Sequence, residues 1–142
     1  MEIRALTTTY AVSPQITPDD LAAVKSAGYV MVIDNRPDAE IPADLHTDPM
    51  RRAAQAAGLT FVANPVIGGQ LTMQNVAAQA EAIAQATGPV LAYCASGNRS
   101  SIVWALAHAG KMPTDDLIGL PARHGYQLEG LRAQIDALAT QS

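Results

Sequence analysis

Cysteine occurs once in this 142-residue chain, at position 94; phenylalanine and tryptophan also occur once each, and charged residues make up only 15% of the sequence. A lone thiol excludes an internal disulfide and any structural zinc site built on cysteines, so a resolving thiol has to come from another molecule. The first ten residues lack the apolar core of a signal peptide, and no apolar run reaches membrane-spanning length. A cytoplasmic address with no membrane partner is therefore expected. Nine basic against thirteen acidic side chains give a net charge of -4 and a pI near 5.1, which with the lack of any basic cluster argues against nucleic acid. His46 has no companion at metal-ligand spacing, and His108 and His124 read as structural or exposed residues rather than proton shuttles. No metal and no cofactor is expected.

What the chain has is apolar content, 49% of its residues, in short runs that alternate with helical patterns. A strand is expected around Thr8 to Val12, stopped by Pro14. Thr17-Pro18-Asp19-Asp20 is a helix start, with Gly28 as the stop near Ala27. Tyr29 to Ile33 reads as a strand covered on both faces and Leu59 to Ala63 as the next strand, separated by a loop over 39–47 and a helix from Asp48 to Ala57 closed by Gly58. Thr72 caps a long helix whose buried stripe reads Val76, Ala80, Ile83 and Ala84. Pro89 to Tyr93 is the next strand. Two further helices follow Gly110, separated by a polar break at Arg123-His124-Gly125-Tyr126, and the last turns Leu128, Leu131, Ile135 and Leu138 inward. Strands alternating with helices imply an α/β sandwich with a mainly parallel sheet, in one domain over 1–142. In such sheets the site lies beyond the carboxyl ends of the strands.

The stretch Tyr93-Cys94-Ala95-Ser96-Gly97-Asn98-Arg99-Ser100 stands at one of those ends and reads as strand, tight loop and helix. A loop entering a helix aims unpaired backbone N–H groups at one spot and makes an anion site, here with Cys94 at its mouth. A free thiol with a pKa near 8.5 is mostly protonated at neutral pH; making it mostly thiolate takes a shift of roughly 2 units, or about 3 kcal/mol. A helix dipole supplies about 0.3–1 kcal/mol at an exposed site and roughly 2 in a buried one, so a second source is needed. Arg99 is the candidate, as partner of the thiolate and bidentate clamp on an oxyanion. Ser100 can donate to sulfur or to the anion, and Ala95 to Asn98 line the cradle.

Two other strand ends should meet this loop. One holds Asp34 and Arg36, with Arg36 read either as a second cation over the substrate or as a loop brace, and Asp34 or Asp38 as acceptors for local N–H groups. The other holds Asn64, Gly68 and Gly69, where paired glycines permit either a close approach to the anion or a plain turn.

The chain resembles the phosphatase-like domain of beta-lactamase-hydrolase-like proteins, some of which carry it fused to sulfide- or persulfide-oxidising modules. The resemblance rests on Ser13-Pro14-Gln15-Ile16-Thr17, on Val32 to Glu40, on Asn64-Pro65-Val66 and on Tyr93 to Ser100, and spans the chain to about Ala109. It implies a tyrosine-phosphatase-like three-layer sandwich, and it is shared in part with the rhodaneses, which also hold an anion over a catalytic cysteine. The chain departs from the phosphatase pattern in three places. Four residues separate Cys94 from Arg99 instead of five, which is the rhodanese length; Tyr93 replaces the usual His; and no acidic residue lies between Asp48 and Glu81, where a phosphatase presents its Asp general acid.

Expelling an alkoxide without a proton donor forgoes about 10²–10⁴-fold of rate, whereas sulfite or a thiolate leaves a sulfane sulfur unaided. Three readings stand open. The first is a sulfurtransferase that carries sulfane sulfur as a Cys94 persulfide from a small-molecule donor to an external thiol or protein acceptor. The second is a hydrolase of phosphate monoesters working through a cysteinyl-phosphate. The third is a non-catalytic module that binds persulfide or anions.

Overall fold

The computed structural model describes residues 1–141. Five strands, β1 (Arg4–Ala5), β2 (Tyr10–Ser13), β3 (Met31–Asp34), β4 (Thr60–Ala63) and β5 (Val90–Tyr93), form one sheet in the order β1-β2-β5-β3-β4. Short β1 pairs antiparallel at the edge and the other neighbours pair parallel. The register sets Ser13, Tyr93, Asp34 and Ala63 side by side, so four strands end on one line. Everything those strands deliver arrives at that edge.

Strand side chains alternate between two faces. Tyr10, Val12, Met31, Ile33, Val90 and Ala92 pack with α3 (Met73–Gln85), α4 (Asn98–Ala107), α5 (Thr114–Ala122) and α6 (Arg132–Ala139). Ala11, Val32, Leu91 and Tyr93 pack with α1 (Leu21–Ser26) and α2 (Thr47–Ala56). The result is helix, sheet, helix in three layers. Among the described residues no helix is long and apolar enough to cross a membrane.

Local chemistry accounts for most boundaries. The Thr17 signal opens as a short 3-10 turn over Pro18–Asp20, with the Asp20 carboxylate accepting the Thr17 N–H at 2.8 Å, before α1 begins at Leu21. Gly28 and Gly58 take φ of +102° and +85° where α1 and α2 end. Thr72 caps α3, its hydroxyl accepting the Asn75 N–H at 3.1 Å. The first long strand runs Tyr10–Ser13 rather than Thr8–Val12, because its pairing with β5 starts only at Tyr10.

Two expectations fail because burial here is not confined to the expected apolar stripe. Ala84 is exposed, and α3 buries Gln79 and Ala82 alongside the expected Val76. Helix α4 is buried on nearly every side, Ser100 and Ser101 included, because α3, α6 and the sheet surround it. Tyr126, read as part of a polar break, is 6% exposed.

Gln79, fully buried, explains how a polar side chain survives there. Its Oε1 accepts from Asn35 Nδ2 at 2.9 Å and Asn64 Nδ2 at 2.8 Å, while its Nε2 donates to Tyr10 Oη at 3.1 Å and Asn35 Oδ1 at 3.2 Å. Both amide hydrogens and both oxygen lone pairs are thereby used. Replacing it by Gln79→Leu leaves buried amides and a phenol short of partners, so urea unfolding should show a loss of about 2–4 kcal/mol.

Candidate active site

Strand β5 ends at Tyr93 and α4 opens at Asn98, so Cys94 to Gly97 is the whole turn between them. Gly97 takes φ +96°, and a Cβ there would overlap Tyr126 Oη, so conformation and space both demand glycine. The curl brings the Gly97 N–H to Cys94 Sγ at 3.2 Å. Cys94 is 1% exposed: the sulfur lies on the floor of the loop, not at its mouth, because the curl folds over it.

The loop carbonyls are tied outward. Ala95 O accepts the Gln15 N–H at 3.3 Å. Ser96 O accepts from Tyr126 Oη at 2.7 Å and from Arg4 Nη1 at 3.5 Å, and Arg4 in turn donates to Tyr126 Oη at 2.6 Å while lying over its ring. Not every loop amide is left for a ligand: Gly97 N–H serves the sulfur and Asn98 N–H serves Ser96 Oγ at 3.2 Å. Ala95, Ser96 and Asn98 themselves form an exposed rim.

Arg99 turns inward, away from bulk water. Its Nη1 donates to Glu40 Oε2 at 2.7 Å and Val66 O at 2.8 Å, and its Nη2 to Glu40 Oε1 at 2.8 Å. Pairing with Glu40 holds the guanidinium more firmly protonated than usual. The same pairing with Arg99 holds Glu40 below the usual carboxylate range. Arg36 joins them, donating from Nε to Glu40 Oε1 at 3.3 Å and from Nη1 to Gln15 Oε1 at 3.3 Å. The two arginines therefore share one carboxylate. Asp34 braces the loop: Oδ1 accepts Arg36 N–H and Oδ2 accepts Thr47 Oγ1, each at 2.9 Å, while burial pushes its carboxyl up. Asp38 does likewise for the Thr47 N–H.

Ser100 departs from its expected role. The Asn35 amide hydrogens go to Asn64 O and Gln79 Oε1, both acceptors, which fixes Asn35 Oδ1 as the acceptor for Ser100 Oγ at 2.9 Å. A hydroxyl has one hydrogen, so Ser100 has none left for sulfur or anion. Asn64 is drawn into the same network through its carbonyl and its amide. The result locks the start of α4 onto the ends of β3 and β4.

Of Gly68 and Gly69, the second lines a cavity together with Arg99. Both are exposed with open space around them, and Gly69 takes φ +76° in a turn closed by Gln70 N–H on Ile67 O at 2.9 Å. The hydrogen bond from this segment to Arg99 comes from the Val66 carbonyl. Beside Arg99 a cavity of about 270 Å³ opens, lined chiefly by Val66, Ile67, Leu71, Ile102, Leu106 and Leu131. His108, bonded to Trp104 O, and His124, bonded to Ala5 O, stand outside the site. Glu40, Gln15, Tyr126, Arg4 and Gln79 are the participants that sequence reasoning missed. Only Glu40 and Gln15 lay within the stretches that carried the resemblance.

The family model for the phosphatase-like domain of beta-lactamase hydrolase-like proteins matches residues 2–111. Beta-lactamase hydrolase-like proteins of Xylella fastidiosa Temecula1 and Agrobacterium fabrum C58 are 35% and 31% identical, over 90% and 84% of this chain. The chain spans only about 30% of the length of these relatives. The crystal structure of a candidate phosphatase from Neisseria meningitidis Z2491 is 32% identical, covers 97% of this chain and 99% of that one, and superposes with a TM-score of 0.82. PTPMT1, at 16% identity and a TM-score of 0.73 over 99% of this chain and 100% of that one, shares the fold. The chain belongs to the family of these phosphatase-like domains, and its sandwich is the tyrosine-phosphatase-like fold.

The tightest steric constraint in the loop is the Gly97–Tyr126 contact. Gly97→Ala should cost about 2–4 kcal/mol in denaturant unfolding, the sum of a strained backbone and an overpacked contact. Its reaction with a thiol-directed reagent should change with it, since the Gly97 N–H no longer meets Cys94.

Proposed function

We propose that this chain, as a member of that phosphatase-like family, is a cysteine-dependent enzyme whose Cys94 thiolate takes up the transferred group and whose Arg99 stabilises the charge that develops. The observation that carries this reading is the curl that brings the Gly97 N–H to Cys94 Sγ at 3.2 Å and leads straight into Arg99 at the start of α4.

In a phosphatase-like reaction Cys94 Sγ attacks phosphorus, the bond from phosphorus to the ester oxygen breaks, and that oxygen leaves with the electron pair. Water then displaces the thiolate from the cysteinyl-phosphate and releases inorganic phosphate. First-turn amides of α4 and Arg99 face the equatorial oxygens. Arg36 acts through Glu40, and Ser100 acts by holding the helix start rather than by donating to sulfur.

One observation favours sulfur transfer as a second reading. The segment 64–71 holds no carboxyl group, and Glu40, the carboxylate on Arg99, is held ionised by that arginine and has no proton to give. Attack of Cys94 on the outer sulfur of thiosulfate breaks the S–S bond, expels sulfite with the electron pair and leaves a Cys94 persulfide; an external thiolate, small or on a protein, then removes that sulfur. Neither leaving group needs a proton.

Intact mass after incubation with an aryl phosphate or with thiosulfate separates the readings. A phosphoryl mass gain and phosphate release, both lost in Cys94→Ser, support phosphatase chemistry; a gain of one sulfur atom supports sulfur transfer; neither gain points to a non-catalytic binding module. Arg99→Lys should lower turnover of the productive substrate by about 10²–10³-fold. If phosphate is released, an alkyl ester should trail the aryl ester by a further factor of about 10²–10⁴.

A further inference from the structure

The cavity beside Arg99 has walls that are held in place. Val66 O accepts from Arg99 Nη1 at 2.8 Å, which fixes the start of the 66–71 segment to α4. The bond from Asn75 Nδ2 to Pro65 O at 3.0 Å and the Thr72 cap fix both sides of that segment to α3. Helix α4 supplies Arg99, Ile102 and Leu106, which stand at i, i+3 and i+7 on one helix face. The lining from Arg99 to Leu106 therefore extends about 10 Å along the helix axis.

Its chemistry is uneven. Arg99 is the one charged side chain in the lining, and apart from Gln134 the others are apolar residues and a glycine. Large apolar side chains are rarely left exposed among the described residues, yet Ile67, on this cavity, is 54% exposed, and Met73, two residues beyond lining Leu71, is 52% exposed. Apolar walls gain little from water and lose packing contacts when nothing faces them. A void of about 150 Å³ already takes up benzene, so the 270 Å³ here has room for an apolar group of about six carbons or more. Arg99 belongs to the cradle and to the cavity alike.

On the reading that Arg99 receives the anion, we infer that the cavity is a subsite for an apolar group carried by the same ligand. The substrate is then an amphiphile, a small anionic head joined to an apolar group of about six carbons. An organic persulfide or a phosphate monoester of that build occupies both halves of the site, whereas thiosulfate occupies only one.

Alkyl sulfonates test this, because they carry a stable anionic head, and the experiment is nuclear magnetic resonance on the full chain. Methanesulfonate should move the amide signals of Ala95 to Arg99. Hexanesulfonate should move these and the methyl signals of Ile102, Leu106 and Leu131, and should bind about thirtyfold or more tightly, as expected for five half-buried methylenes. Ile102→Gln should lower that affinity ratio by about fivefold or more, while Met73→Gln, which removes an exposed apolar side chain from outside the lining, should leave it as it was. A smaller gain with chain length, methyl shifts confined to other parts of the molecule, or a ratio unchanged in Ile102→Gln overturns the inference. Methanesulfonate that leaves the amides of Ala95 to Arg99 unmoved overturns instead the reading that Arg99 receives the anion, and the inference with it.

Discussion

A buried polar side chain must have its hydrogen-bonding capacity met, and that requirement at Gln79 governs the site. Four hydrogen bonds tie one glutamine to Tyr10, Asn35 and Asn64, three residues on or just beyond three different strands. Ser100 joins through Asn35, and the Tyr10 hydroxyl donates to Ser100 O at 2.9 Å. The start of α4 is thus held to the sheet at the level of the Cys94 turn. Such a network adds less stability than an apolar core of equal size but permits only one arrangement, which suits a loop whose geometry is its chemistry. It also commits the Ser100 proton, so rigidity comes at the expense of a possible donor to the sulfur.

Electrostatics around the thiol follow from the same economy of parts. Among the described residues, Arg99 and Arg36 both bond to Glu40. The carboxylate orients Arg99 while reducing the field that Arg99 exerts.

The layering and the mainly parallel sheet are legible in the sequence because strands appear as short apolar runs between turn residues, and each helix carries its own start and stop. The curl at Cys94 is legible because Gly97 and Arg99 follow it within one helix start. Gln79 is not: in a hydropathy pattern a glutamine on a helix is a solvent-facing residue, and only a fold that surrounds it with amides makes it a core residue. Glu40 reads as a solvated loop charge for the same reason, since its partners arrive from α4 and from the end of β3. Tyr126 and Arg4 carry no local signal, because their contact with Ser96 joins the two ends of the chain. Local chemistry thus marks where the site is, and tertiary contacts decide which side chains complete it.

The Ser96 brace bears on what counts as the functional unit. The family model matches as far as residue 111, yet the phenol that holds the Ser96 carbonyl stands at Tyr126. A fragment trimmed to the shared stretch would retain Cys94, Gly97, Arg99 and Glu40 but release the outer wall of their loop. Transplanting the motif into another scaffold therefore means transplanting a buttress from the far end of the polypeptide as well.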